Sequence, residues 1–370
     1  AWGRFMEFTI HLQILGIVFV TGIVMGAVAN KTNFCTMGAV SDWVNMGDTG
    51  RLRAWMLAIA VATLGVVALE ASGKAVIGTG TFPPYRTPNL AWLRYVLGGL
   101  MFGIGMTLAS GCGNKTLVRL GGGNLKSLVV LVIASACAYA MLWTNFYDAA
   151  FGWVSSTAIN LAAAGKTSQA LGELTGVGNT IFGLALAGAL LAFAFSSRDF
   201  RSSFDHILGG AVIGIAVIVG WYVTAGPMGA AWKEFADFAD VKPLRVEAQS
   251  FTFMSPMGDL ARYVMHPVDT SLINFGIMAL AGVIVGSFLY AVITRSFRVE
   301  WFVNGGDFAN HAVGAVLMGI GGVLSMGCTI GQGITGVSTL ALGSVLTLIS
   351  IVAGAAGMMK YQYWRMMQEA

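Results

Sequence analysis

Apolar residues in this chain come in long runs separated by short polar breaks, without the one-sided stripe of a helix that keeps a wet face. A helix needs about 20 mostly apolar residues to cross a hydrocarbon core. The runs of that order fall at roughly 9–29, 54–72, 94–110, 127–144, 178–196, 206–225, 273–294, 309–326 and 338–359. They predict an all-α polytopic membrane protein with about nine spanning helices. The run from Ile10 to Ala29 follows no strong basic segment and ends in Asn30-Lys31, so it reads as the first span and not as a cleaved signal.

The pieces between the runs differ in kind. Segments 30–46, 111–126 and 327–337 are short, Gly-rich and partly apolar, and each begins close to a cysteine. They are too short to span and predict re-entrant half-helices, because irregular backbone at membrane depth survives only where protein or a watery cavity surrounds it. Segments 73–93, with Pro83, Pro84 and Pro88, 145–177 and 226–272 read as interfacial loops, the last two with short surface helices such as one around Trp232 to Ala239. Basic residues in short loops set orientation. Arg51, Arg53, Lys115, Arg119, Lys126, Arg198, Arg201, Arg295, Arg298, Lys360 and Arg365 are mutually consistent as cytoplasmic, against Lys74 and Arg86 outside. The N-terminus is then expected outside and the C-terminus in the cytoplasm.

A repeat sharpens this picture. Residues 95–112 read YVLGGLMFGIGMTLASGC and residues 311–328 read HAVGAVLMGIGGVLSMGC. At one fixed offset, Gly98, Gly103, Ile104, Gly105, Leu108, Gly111 and Cys112 recur as Gly314, Gly319, Ile320, Gly321, Leu324, Gly327 and Cys328. Gly16, Ile17, Gly22 and Gly26 of the first run likewise echo Gly276, Ile277, Gly282 and Gly286 of the seventh. The reading is one membrane domain over 1–370, with repeat halves at about 9–144 and 206–360. If each run crosses once, the two Gly-Cys hairpins enter from opposite faces. That is the inverted repeat with broken helices common among secondary transporters.

Composition narrows the function. Of 370 residues, 56% are hydrophobic and only 10% are charged, and the mean hydropathy is +0.75. A soluble domain carries about a quarter charged residues, so a soluble enzyme is excluded. The net charge of +4 is small and the basic residues are scattered, which gives no nucleic-acid surface. The 50 glycines, about one residue in seven, suit transmembrane helices that approach closely. None of the four cysteines forms a Cys-x-x-Cys pair. His11, His206, His266 and His311 have no spacing for metal or haem, so no cofactor or metal is expected.

Three cysteines share a context: Cys35 in NKTNFCTMG, Cys112 in ASGCGNKT and Cys328 in SMGCTIGQG. Each stands where an apolar helix meets a short turn, whereas Cys137 lies inside a helical run and reads as packing. A thiol in an apolar passage keeps its proton and offers a weak, polarisable S–H donor. That suits a soft sulfur-bearing anion, held weakly enough to leave again. Lys115 and the backbone N–H groups after each cysteine supply attraction for negative charge. Asn33, Asn114, Thr329, Gln332 and Thr335 are candidates to line the passage or to satisfy broken-helix backbone. Gly111, Gly113, Gly327 and Gly331 are the structural glycines of the hairpins. Asp42, Glu70, Asp205 and Asp307 sit at segment ends and read as structural. A membrane thiol–disulfide redox protein using these cysteines, and a channel for a small neutral solute, stand as alternatives.

The runs NFCTMGAVSDW, SGCGNKTLVRLGGGN and MGIGGVLSMGCTIGQGITG resemble the YeeE/YedE family of membrane proteins, and the resemblance covers essentially the whole chain. It implies nine spanning helices with short helices bent into an hourglass interior, and uptake of a sulfur-containing ion, thiosulfate above all, across the inner (plasma) membrane. It implies that Cys35, Cys112 and Cys328 pass the anion by S–H hydrogen bonds, with Cys137 outside the pattern. It also implies a separate TusA-like sulfur carrier as partner. The chain departs from the family at Ser110-Gly111-Cys112-Gly113 and Lys115, where members often have Gly-Gly-Cys followed by Ala or Ser. A basic residue so close to a thiol alters which anion is favoured.

Overall fold

The computed structural model describes residues 2–369. The helices in chain order are α1 (Trp2–Lys31), α2 (Thr36–Met46), α3 (Gly50–Ala71), α4 (Trp92–Leu108), α5 (Gly113–Gly121), α6 (Leu125–Trp143), α7 (Phe146–Ser155), α8 (Leu171–Leu174), α9 (Asn179–Phe195), α10 (Arg198–Ser202), α11 (Phe204–Ala225), α12 (Pro227–Phe238), α13 (Met254–Met265), α14 (Phe275–Ile293), α15 (Gly305–Leu324) and α16 (Leu342–Glu369). A single turn of π-helix, Gly331–Gly336, precedes α16. Two short strands, β1 (Asn89–Leu90) and β2 (Ile159–Asn160), pair antiparallel and tie the loops together.

Helix starts follow the polar residues at the edges of the apolar runs. Asn124 accepts the Ser127 N–H at 3.1 Å ahead of α6, Asn274 that of Ile277 at 3.0 Å ahead of α14, and Asn304 that of Asp307 at 2.8 Å ahead of α15. Among the described residues, eight helical segments are long and apolar enough to cross a membrane. Two of them, Ile10–Met46 and Trp92–Gly121, run through the breaks between α1 and α2 and between α4 and α5. The count is one below the sequence expectation. The run at 178–196 forms α9, whose 17 residues are clipped by Gly178 in a left-handed conformation and by Ser197, which caps α10. Its last turn meets the start of α3, where the Arg53 guanidinium donates to the Phe193 carbonyl and to Ser196 Oγ at 2.7 Å.

Glycines let backbones touch. In α1 and α14, which run parallel, a Cβ on Gly26 would collide with the Val283 backbone and one on Gly286 with that of Ile23. In α4 and α15, which run antiparallel, Gly98 lies against Gly321 and Gly105 against Gly314. With little apolar driving force between helices in lipid, this contact and its hydrogen bonds supply the adhesion. The Asn30 amide adds a bond of 2.8 Å to Ser287 Oγ across the α1–α14 seam.

The segment 226–272 is more than an interfacial loop. Helix α12 covers the expected Trp232 region, but Trp232 is buried and its indole donates to His11 Nδ1 at 2.9 Å. Residues 251–259 enter the core: Phe251, Phe253 and Met254 are fully buried, and the Phe251 carbonyl accepts from Thr335 Oγ1 at 2.7 Å. Their apolar stretch is too short to read as a span, which is why the sequence pattern left it among the loops.

Candidate functional site

The three chain breaks that carry cysteines have one geometry. Each preceding helix ends on a residue in the left-handed region, Asn33 at φ 50°, Ser110 at φ 56° and Met326 at φ 61°. The next N–H reaches back to close the helix: Phe34 to the Ala29 carbonyl at 3.2 Å, Gly111 to Met106 at 2.9 Å, Gly327 to Gly322 at 2.7 Å. This is the Schellman arrangement, which satisfies the last carbonyls of the helix. The cysteine comes next in all three. It then leads into α2, α5 or the π-turn.

The sulfurs stand at helix starts. The Gly38 N–H donates to Cys35 Sγ and the Gly331 N–H to Cys328 Sγ, each at 3.4 Å. At Cys112 the equivalent N–H, that of Lys115, faces the sulfur without forming a full cap. All three thiols are free and buried, at 7%, 1% and 0% exposure for Cys35, Cys112 and Cys328. The Cys35 side chain lies beside that of Cys112, and Cys112 lies beside Thr329, the residue after Cys328. The fold thus gathers the three cysteine breaks at one place. Cys137 lies elsewhere, with its Cβ packed against Gly319 of α15.

The other sequence candidates separate by role. Asn114, on the first turn of α5, is buried with neither amide atom bonded, and the Thr329 hydroxyl is likewise without a full hydrogen bond. Gln332 has both ends engaged, donating to the Ser325 carbonyl at 2.6 Å and accepting from Ser344 at 2.5 Å, so it braces its break. Lys115 donates to Asn33 Oδ1 at 3.1 Å, linking the first two breaks. Gly111 sits against the Lys115 side chain, Gly113 against Met254, Gly327 against Gln332 and Gly331 against Thr252. Thr335 holds the Phe251 carbonyl. The four acidic residues at segment ends are all paired: Asp42 with Arg51, Glu70 with Arg86, Asp205 with Lys31, and Asp307 with Lys126 and His311.

Several residues at the site gave no signal in the sequence. Trp55 of α3 shares the wall of a small pocket with Cys35, and its ring lies against Gly333 of the π-turn. Tyr85 donates to the Gly331 carbonyl at 2.7 Å and meets Trp221 edge to face at 6.3 Å. Burial pushes the Tyr85 phenol well above its ordinary range, so it stays a neutral donor. Aromatics inside apolar runs look alike, and only the fold tells which of them face the break.

A cavity of about 480 Å³ opens beside the site. Its wall includes Asn33, Ser110, Lys115, Arg119, Lys126 and Arg298, with Glu300 and Asp307 as the acidic groups. Among the described residues, no three His, Cys, Asp or Glu side chains are grouped to hold a metal ion. Basic side chains outnumber acidic ones on this wall, and Lys115 and Ser110 on it belong to the breaks that carry the cysteines.

Helices of this length, number and apolar character define a multi-pass membrane protein. The chain belongs to the sulphur transport family, whose sequence model matches residues 31–357. It is 24% identical over 365 residues to the thiosulfate transporter TsuA of Escherichia coli K12, covering 90% of this chain and 91% of that one. It is 23% identical over 343 residues to the thiosulfate transporter TsuA of Spirochaeta thermophila, covering 90% of this chain and 94% of that one. The family is one of transporters, not enzymes.

Proposed function

We propose that this protein takes up thiosulfate or a closely related sulfur-containing anion along a central pathway marked by Cys35, Cys112 and Cys328. The observation that carries the reading is that Cys35, Cys112 and Cys328 are buried free thiols, each placed directly after a helix break of the same geometry. Lys115, Asn114 and Thr329 belong to this pathway, and Gln332 with Gly111, Gly113, Gly327 and Gly331 keeps the breaks open. Two starting turns, those of α2 and α5, add partial positive charge at the same place without a mobile cation. A neutral-solute channel has no use for the basic mouth.

The same reading extends to architecture. The whole chain, 1–370, acts as one membrane domain with repeat halves at about 9–144 and 206–360. The contacts Gly98–Gly321 and Gly105–Gly314 support the repeat, because the sequence offset exchanges one pair for the other. Helix α9 is the ninth crossing, supported by its run from Gly183 beside Val67 to Phe193 beside Arg53, the full depth of α3. The hourglass form is supported by the cavity beside the narrow thiol cluster. The basic mouth supports a cytoplasmic inner face in the plasma membrane, with the N-terminus outside and the C-terminus inside. A separate TusA-like carrier receives the sulfur there.

Labelled thiosulfate uptake into proteoliposomes tests the function. Uptake by the intact protein that sulfur anions compete and chloride does not, and that Cys112→Ala abolishes, is the expected result. Uptake that persists in the variant removes the thiols from the pathway.

A further inference from the structure

The interior also holds polar atoms that the folded chain leaves unsatisfied. The hydroxyls of Thr36 and Thr329, the indole N–H of Trp55 and both amide atoms of Asn114 are buried with no hydrogen-bond partner. Such groups are rare, because each gives up water and receives nothing in return. These four lie around the cysteine breaks. Thr36 follows Cys35 on the first turn of α2, and Asn114 lies on the first turn of α5, just after its cap Cys112. Thr329 faces the Cys112 thiol from the opposite break. Trp55 stands beside Cys35 and against Gly333, between the first break and the third.

All four side chains can donate a hydrogen bond and none carries charge. Uncharged donors fixed in a dry site stabilise an anion strongly, since they need no reorganisation when it arrives. Thiols alone offer only weak S–H contacts, which suit a terminal sulfur but not the oxygens of an oxyanion. We propose that Thr36, Trp55, Asn114 and Thr329 form an oxyanion subsite, which takes the oxygens of thiosulfate while Cys35 and Cys112 face its terminal sulfur. The inference rests on the thiosulfate-uptake reading above and deepens it. It makes the pathway selective for sulfur oxyanions over soft anions that lack the oxygens.

The test uses proteoliposomes of the full chain carrying Asn114→Leu or Trp55→Phe, with labelled thiosulfate as substrate and sulfite or thiocyanate as competitor. Each substitution is expected to raise the half-saturating thiosulfate concentration at least about tenfold, the worth of a hydrogen bond to a charged group. Competition by sulfite weakens in parallel and competition by thiocyanate is unchanged. Thermal unfolding in detergent separates this from damage to the fold. Without substrate, Asn114→Leu unfolds no lower than the intact protein, because an unpartnered buried amide has been replaced by an apolar group of similar shape. Added thiosulfate then stabilises the variant less than it stabilises the intact protein. Lower intrinsic unfolding temperature with an equal loss against both competitors, or unaltered half-saturation in both variants, overturns the subsite. Intact protein that carries no thiosulfate, or carries it regardless of Cys112, overturns the underlying reading instead.

Discussion

At the scale of single residues, position in the break decides what a cysteine does, and two sites can be sorted by substitution. Cys328→Ala should abolish thiosulfate uptake in proteoliposomes while the protein still inserts and unfolds cooperatively, since removing one small sulfur from a packed interior costs on the order of 1 kcal/mol. Cys137→Ala should leave uptake unchanged, because that side chain only fills space beside Gly319. Loss of uptake in Cys137→Ala would refute the sorting. A second residue-scale prediction concerns acid. Ser168 and then Thr167 bond the Glu173 carboxylate and hold its pKa down from 4.5 to about 2. A carboxylate depressed by folding stabilises the fold above its unfolded pKa and stops doing so as pH falls through the folded value. Protection of the Thr167 and Ser168 amides, the exchange rate relative to the intrinsic rate at each pH, should therefore be full at neutral pH and fall between about pH 4 and pH 2. In Glu173→Gln that pH dependence should be absent.

At the scale of elements, the breaks show how far a sequence can be read. Apolar runs and polar caps made the long helices legible, and a cysteine at the head of each short Gly-bearing segment made all three breaks legible. What the glycines did not disclose is their role. The left-handed residue is not Gly111 or Gly327 but the one before, Ser110 or Met326. The glycines instead allow close approach by Lys115 and Gln332. Asn33 holds the same conformation at the first break with Phe34 in place of glycine, so the shared context of the three cysteines rests on one backbone turn that the residue types do not spell out. The 251–259 segment was missed for a different reason: it is too short for a span, and its burial depends on partners far along the chain. A non-glycine residue in the left-handed region costs about 1–2 kcal/mol. Met326→Gly should relieve part of that, offset by the extra freedom of the unfolded chain, and raise the unfolding temperature in detergent by a few degrees. An unfolding temperature that falls would mean the Met326 side chain contributes packing that outweighs its backbone strain.

At the scale of the whole molecule, the question is what moves the anion inward. Moving a charge across the membrane changes its energy by about 2.3 kcal/mol per 100 mV, so a dianion entering against 100 mV negative inside is opposed by about 4.6 kcal/mol. Left to itself, such transport holds the internal concentration more than a thousandfold below the external one. A coupling proton would need a group at the constriction that changes its charge as the anion passes. The hydroxyls, amide and indole gathered there do not ionise, the thiols act in the pathway as S–H donors and keep their protons, Lys115 is held by Asn33, and Asp42 of α2 is tied to Arg51. The passage is therefore expected to be uncoupled and electrogenic, with consumption of the anion inside as the source of net uptake. Proteoliposomes with a potassium diffusion potential give the measurement. Uptake should rise when the interior is made positive, fall when it is made negative, and ignore a pH gradient at zero potential. Accumulation driven by a pH gradient alone would show that protons travel with the anion.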